Sequence, residues 1–215
     1  MKARYLVMAV LGAGLAAGVG ARVYSGDQAG VTEEFRKQFI KDFKRTGLNT
    51  TPEDALTLRI LIQTAKAKRG VEVGSATGFG AINMGIGFER TGGRLETIDI
   101  DPGMVKATRE NVRQMGLEKT VTVIEGDALK VLGTLEGEID FAFLDALKED
   151  YYKYFKLIEP RLKPGAVVVA DNAIRSASAM KDFLDAMRAS PDWEMVIVQV
   201  SKEKNDGMAV CCKIK

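Results

Sequence analysis

VEVGSATGFG, residues 71–80, is the stretch that decides the architecture. Val71 and Val73 belong to a short apolar run of strand type. Gly74 and Gly78 then let the backbone turn tightly into a helix, whose first N–H groups are free to meet an anionic part of a ligand. Glycine spacing by itself describes a plain strand-to-helix turn equally well. Four later pieces add weight: IDIDP (98–102), EGDAL (125–129), LDALK (144–148) and ADN (170–172) each end or closely follow an apolar run that reads as a buried strand.

Working outward, strands are expected near 70–74, 94–100, 120–124, 138–144 and 165–170, with helices between them. Such alternation implies a parallel sheet with right-handed crossovers, in which ligands collect at the carboxyl ends of the strands. Trp193 to Val200 and Met208 to Ile214 flank a turn containing Asn205, Asp206 and Gly207, and read as an antiparallel hairpin at one edge. The expected fold is α/β: a Rossmann-like, doubly wound, mostly parallel seven-stranded sheet with a C-terminal antiparallel hairpin, preceded by a hydrophobic N-terminal helix. Upstream of the sheet, Phe35, Phe39, Ile40 and Phe43 lie on one face of a helix spanning 31–46 and ended by Gly47. Thr51 and Pro52 start a second helix that runs to about Lys68 and buries Leu56, Ile60 and Leu61.

The chain has 215 residues, 46% of them hydrophobic, enough for one well-buried domain. Residues 1–24 read as a hydrophobic anchor or signal segment, 25–30 as a linker and 31–215 as the globular domain. Lys2, Arg4 and Arg22 account for three of the 31 basic residues, so the remainder stands one short of the 29 acidic ones. Neither that balance nor any basic run suggests a nucleic-acid partner, and a small molecule is expected instead. The chain contains no histidine, which excludes His-based triads and the usual zinc sites and leaves oxygen donors for any metal. Cys211 and Cys212 are adjacent on the final strand and read as packing residues.

The candidate site residues stand at strand ends. Asp99 is placed to accept from two ribose hydroxyls, although it could instead cap the helix beginning at Pro102, for which Asp101 is better placed. Asp127 either accepts from an adenine amino group or caps the short helix after it. Asp145, Asp171 and Asn172 end the fourth and fifth strands, so three oxygen-bearing side chains would converge and leave room on an octahedral Mg²⁺ for water or a chelating substrate. Lys148 lies one helical turn beyond Asp145. A lysine beside a bound cation has its charged form disfavoured, which suits a general base.

VEVGSATGFG, LETIDIDP, GDAL, LDALKEDY, VVVADN and the closing NDG, in this order, resemble the class I S-adenosylmethionine-dependent methyltransferases. More narrowly, they resemble the cation-dependent O-methyltransferases that include the catechol and caffeoyl-coenzyme A enzymes. The resemblance runs from about Thr50 to the C-terminus and makes 31–215 a methyltransferase domain. It implies that Glu72, Gly74 and Ser75 through Gly80, including Gly78, form the methionine pocket. Asp99 then holds the ribose, and Asp127 and Ala128 border the adenine. Asp145, beside the donor, joins Asp171 and Asn172 on Mg²⁺ or another hard divalent cation, and Lys148 is the base. Two positions depart from the family pattern: Gly80 stands where relatives often carry a serine, and Leu147 where many carry an acidic residue. The implied reaction is methylation of one hydroxyl of a vicinal dihydroxy aromatic. The competing readings are methylation of another hydroxyl, such as that of a modified tRNA base, a nicotinamide-dependent oxidoreductase, and an inactive fold. A homodimer is a further expectation, by analogy with the caffeoyl branch.

From Tyr5 to Ala21 no residue is charged. The run reads as a membrane anchor, a secretory signal, or a hydrophobic helix packed on the domain; a dinucleotide turn is set aside because no acidic strand end follows at the required spacing. Because S-adenosylmethionine is kept inside cells, the expectation is membrane association with the catalytic domain in the cytoplasm, with export after signal cleavage as the alternative.

Overall fold

Val71, Val73, Ala142, Leu144, Val168 and Ala170 lie in one apolar cluster, while Phe141, Phe143, Val167 and Val169 lie in another. Neighbouring residues of the same strand thus feed different cores, as they do in a sheet covered by helices on both faces. The computed structural model describes residues 30–215. Its strands are β1 (Arg69–Val73), β2 (Arg94–Asp99), β3 (Val121–Glu125), β4 (Ile139–Leu144), β5 (Leu162–Ala170), β6 (Trp193–Val198) and β7 (Met208–Lys213). They form one seven-stranded sheet in the order β3-β2-β1-β4-β5-β7-β6. The first five are parallel, and β7 runs antiparallel between β5 and β6. The expected α/β architecture and the C-terminal antiparallel pair are both observed.

Helices α1 (Glu33–Asp42) and α2 (Pro52–Thr64) precede the sheet, and α3 (Phe79–Thr91), α4 (Pro102–Gln114), α5 (Ala128–Thr134), α6 (Tyr151–Ile158) and α7 (Lys181–Ala189) cover it. Thr51 caps α2 by accepting from the Asp54 N–H, with Pro52 in its first turn, as the sequence requires. The buried face of α2 differs from expectation: Ala55, Leu58 and Ile62 are buried, whereas Leu56 and Ile60 are about half exposed. Leu56, Leu58, Ile60, Leu61 and Ile62 make this helix apolar almost all round, so periodicity alone does not select a face. Packing selects it, with Gly87 of α3 approaching Ile62 and the backbone of Arg59. α1 also ends early, because Phe43 turns to extended geometry and sets its ring 5.0 Å from that of Phe79.

The expectation of membrane association is corrected. No helix among the described residues is long and apolar enough to cross a membrane. The longest of them have 13 residues, which at ~1.5 Å per residue fall well short of a bilayer core. The uncharged run 5–21, on which the expectation rested, lies outside the described residues, as does most of the linker.

Candidate active site at the carboxyl ends of the strands

β1 and β4 are adjacent in the middle of the sheet, and their carboxyl ends are tied where the Asp145 N–H donates to the Val73 carbonyl at 2.8 Å. Here the chain reverses the direction in which successive strands are added, and a crevice opens. A cavity of about 640 Å³ fills it, lined among others by Gly74, Asp99, Asp127, Ala128, Asp145, Lys148 and Asn172. Seven of the expected site residues therefore line one cavity. Glu72, Ser75, Gly78, Gly80 and Asp171 stand behind it.

The turn after β1 is built to leave no slack. Gly74 has φ +92°, and a Cβ there would sit 2.2 Å from the Asp145 carbonyl oxygen, so the loop packs directly on the start of the β4 loop. Asp99 Oδ2 accepts from the N–H groups of Ser75 and Ala76, both at 2.9 Å, and its Oδ1 accepts from the Asp101 N–H at 3.0 Å. Carboxylate oxygens have capacity for further donors, so Asp99 can still take hydroxyls from the cavity. From α4, Thr108 Oγ1 donates to the Ala76 carbonyl and Asn111 Nδ2 to that of Thr77. Asp101 caps α4 by accepting from the Gly103 and Met104 N–H groups, and Asp127 caps α5 by accepting from that of Leu129. For Asp127 the cap and a place on the cavity wall coexist.

Glu72 is fully buried and takes a hydrogen bond from Thr97 Oγ1. Burial pushes its carboxyl up to about 8, the Thr97 bond opposes the rise, and the nearby Asp145 and Asp99 charges add to it. A Cβ on Gly80 would lie 2.6 Å from Glu72 Oε1. Glycine at position 80 thus lets the Glu72 carboxyl lie close against the start of α3.

On the other side, Leu144 pairs with Ala170, which sets Asp145 and Asp171 side by side. Lys148 Nζ lies 3.0 Å from Asp145 Oδ1 and 5.3 Å from the centre of the Tyr151 ring. Burial, then the Asp171 charge, raise the Asp145 carboxyl above its usual range. Asp171 is buried, with Oδ2 against Lys204 Nζ and Oδ1 without a hydrogen-bond partner. Asn172 has φ +61°, left-handed backbone that asparagine tolerates better than most residues. Its amide nitrogen donates to Asp206 Oδ2 at 3.0 Å, while Asp206 Oδ1 accepts from the N–H groups of Ile174 and Arg175. Among the described residues no group of three or more His, Cys, Asp and Glu is arranged to hold a metal; the candidate set joins two carboxylates to an amide.

Lys204, Leu48 and Asn49 also line the cavity and were not picked out by sequence reading. Leu48 and Asn49 come from the segment between α1 and α2, held where Thr77 Oγ1 donates to Asn49 Oδ1 at 2.8 Å. Lys204 lies in a run of alternating charge, SKEKN, that reads as solvated surface. Only the fold carries it to Asp171.

The family model described as O-methyltransferase matches residues 22–212. A catechol O-methyltransferase from Niastella koreensis is 30% identical over 139 residues, 63% of this chain and 62% of that protein. One from Mycobacterium tuberculosis is 33% identical over 142 residues, 65% of this chain and 64% of that protein. The matched part is thus less than two thirds of the length of these curated relatives. An O-methyltransferase from Streptomyces achromogenes, solved in complex with SAM, shares the fold with a TM-score of 0.75 at 23% identity, covering 86% of this chain and 92% of that one. With the family model matching most of its length, the chain belongs to the O-methyltransferase family.

Proposed function

We propose that the protein transfers the methyl group of S-adenosylmethionine to one hydroxyl of a vicinal dihydroxy aromatic small molecule, with a hard divalent cation held beside the donor. The observation that carries this reading is the shared cavity: Asp99, Asp145, Lys148 and Asn172 line one cavity of about 640 Å³, a size that suits a small-molecule site. The names of the curated relatives point the same way.

On the donor side, Asp99 accepts the ribose hydroxyls, and Asp127 and Ala128 border the adenine. The 74–80 turn donates its Gly74, Ser75, Ala76 and Gly78 N–H groups within the fold and leads into α3, whose first N–H groups, those of Phe79 and Gly80, are offered to the methionine carboxylate. Glu72 supports that turn from behind. On the acceptor side, Asp145, Asp171 and Asn172 would hold the cation. They fit a hard ion: all donors are oxygens, Asp171 Oδ1 is buried and unpartnered, and the Asn172 nitrogen is spent on Asp206, which leaves its oxygen free. When bound, such an ion acts as a Lewis acid that lowers the pKa of adjacent hydroxyls. Lys148, held by Asp145 and the Tyr151 ring, would take the hydroxyl proton as the neutral amine, and the acceptor oxygen would bond to the methyl in line as the methyl–sulfur bond breaks and S-adenosylhomocysteine leaves. Leu147 and Leu48, both largely exposed on the cavity rim, give the aromatic ring apolar contact.

The test is mass spectrometry of products from a panel of catechols and matched monophenols, with S-adenosylmethionine and either MgCl₂ or a chelator. Monomethylated products are expected from the vicinal diols alone, and only with the metal. Equal turnover of monophenols, or full turnover in chelator, would overturn the proposal.

A further inference from the structure

Lys204 sits in the nine-residue connection between β6 and β7, residues 199–207. That connection is fastened at two points. Glu203 pairs with Arg45 at 2.9 Å, and Asp206 holds the Asn172 amide and the Ile174 and Arg175 N–H groups. Between these fastenings the Lys204 ammonium reaches the Asp171 carboxylate, itself almost wholly buried, and is part of the cavity wall. A buried carboxylate needs a counter-charge, and here a lysine on a long stem supplies it. With Lys148 on Asp145 and Lys204 on Asp171, the two carboxylates of the acidic pair are already balanced by two amines.

We propose that Lys204 is a resident counter-ion of the acidic pair that competes with a divalent cation, so that the protein binds such ions more weakly than the same pair would without the amine. The inference rests on the cation reading given above and concerns what tunes that site. A divalent ion held by Asp171 has to share the carboxylate with the ammonium or displace it. Like charges a few ångströms apart in a partly buried site repel strongly enough to change affinity many-fold.

Manganese titrations followed by the electron paramagnetic resonance signal of the free ion read the affinity directly, on the full chain. Lys204→Met keeps the apolar stem and removes the charge, and is expected to tighten Mn²⁺ binding by about tenfold or more. Lys204→Arg, which keeps the charge, is expected to stay near the unsubstituted protein. In chelator, Lys204→Met should melt below the unsubstituted protein, because Asp171 is left buried without a partner, and Mn²⁺ should restore it. Lys204→Gln serves as the second neutral variant should the Met variant not fold. Unchanged or weaker Mn²⁺ affinity in the neutral variant overturns the role of Lys204. Asp171→Asn separates the two levels: if Mn²⁺ binding survives that change, or no protein binds Mn²⁺, the cation site itself fails and the competition with it.

Discussion

On the β2 side of the cavity, Asp99 is held by three backbone N–H groups and its loop is pinned by Thr108 and Asn111, whereas on the β4–β5 side Asp145 and Asp171 are each held by a lysine. Backbone donors are fixed by the fold, but lysine amines sit on flexible stems and can leave. The first carboxylate is satisfied by the polypeptide backbone; the other two are charge-balanced by side chains, which under the proposed function a bound cation would displace. Under the proposed function the contrast makes donor binding and acceptor chemistry separable, although Gly74 packs one half against the other.

The sharpest way to break that separation is Lys148→Ala. Loss of a general base typically costs about 10²- to 10⁴-fold in turnover, and this variant should lose that much while binding S-adenosylhomocysteine as before in a calorimetric titration. An unchanged rate would remove Lys148 from the chemistry, and lost donor binding would show that the halves are coupled.

Next in size is the pH effect of Glu72. Its folded pKa of about 8 lies above the ordinary 4.5, so the folded state holds a proton that the unfolded chain has lost. Stability then falls as pH rises from about 4.5 to about 8, and is not lost on acidification through this group. Glu72→Gln should match the unsubstituted protein near pH 4.5 and exceed it by a few kcal/mol at pH 8, at about 1.4 kcal/mol per pKa unit. Denaturant melts across that range check it; a constant difference between the two proteins would show that burial does not hold Glu72 protonated.

Gly74→Ala tests the contact between the halves. A Cβ 2.2 Å from the Asp145 carbonyl, on backbone at φ +92°, should cost about 2–3 kcal/mol and weaken donor binding and turnover together. Wild-type melting with wild-type turnover would mean that the loop has slack. The smallest effect is expected from Asp99→Ala, with S-adenosylhomocysteine binding weakened about 10- to 100-fold and Mn²⁺ binding unaltered. Weakened Mn²⁺ binding in that variant would blur the two halves.

What could be read without the structure divides along similar lines. The central strands were legible because a sheet covered on both faces makes runs such as Phe141 to Leu144 continuously apolar, and the acidic residues closing those runs fall at the crevice by topology alone. The buried face of α2 was not legible, since five aliphatic residues crowd positions 56–62 and only the approach of α3 chooses among them. Nor was Lys204, whose partner is 33 positions away and reached by a connection held through Asp206. Asp206 itself was visible only as part of the NDG turn. Its work of orienting the Asn172 amide is a tertiary contact that no local pattern announces.

A titration of the chelator-treated protein with S-adenosylhomocysteine, followed by a catechol with and without added Mg²⁺, tests the account most directly. S-adenosylhomocysteine should bind equally in both conditions, and the catechol should bind only when Mg²⁺ is present. Catechol binding that is indifferent to Mg²⁺, or donor binding that vanishes in chelator, would contradict it.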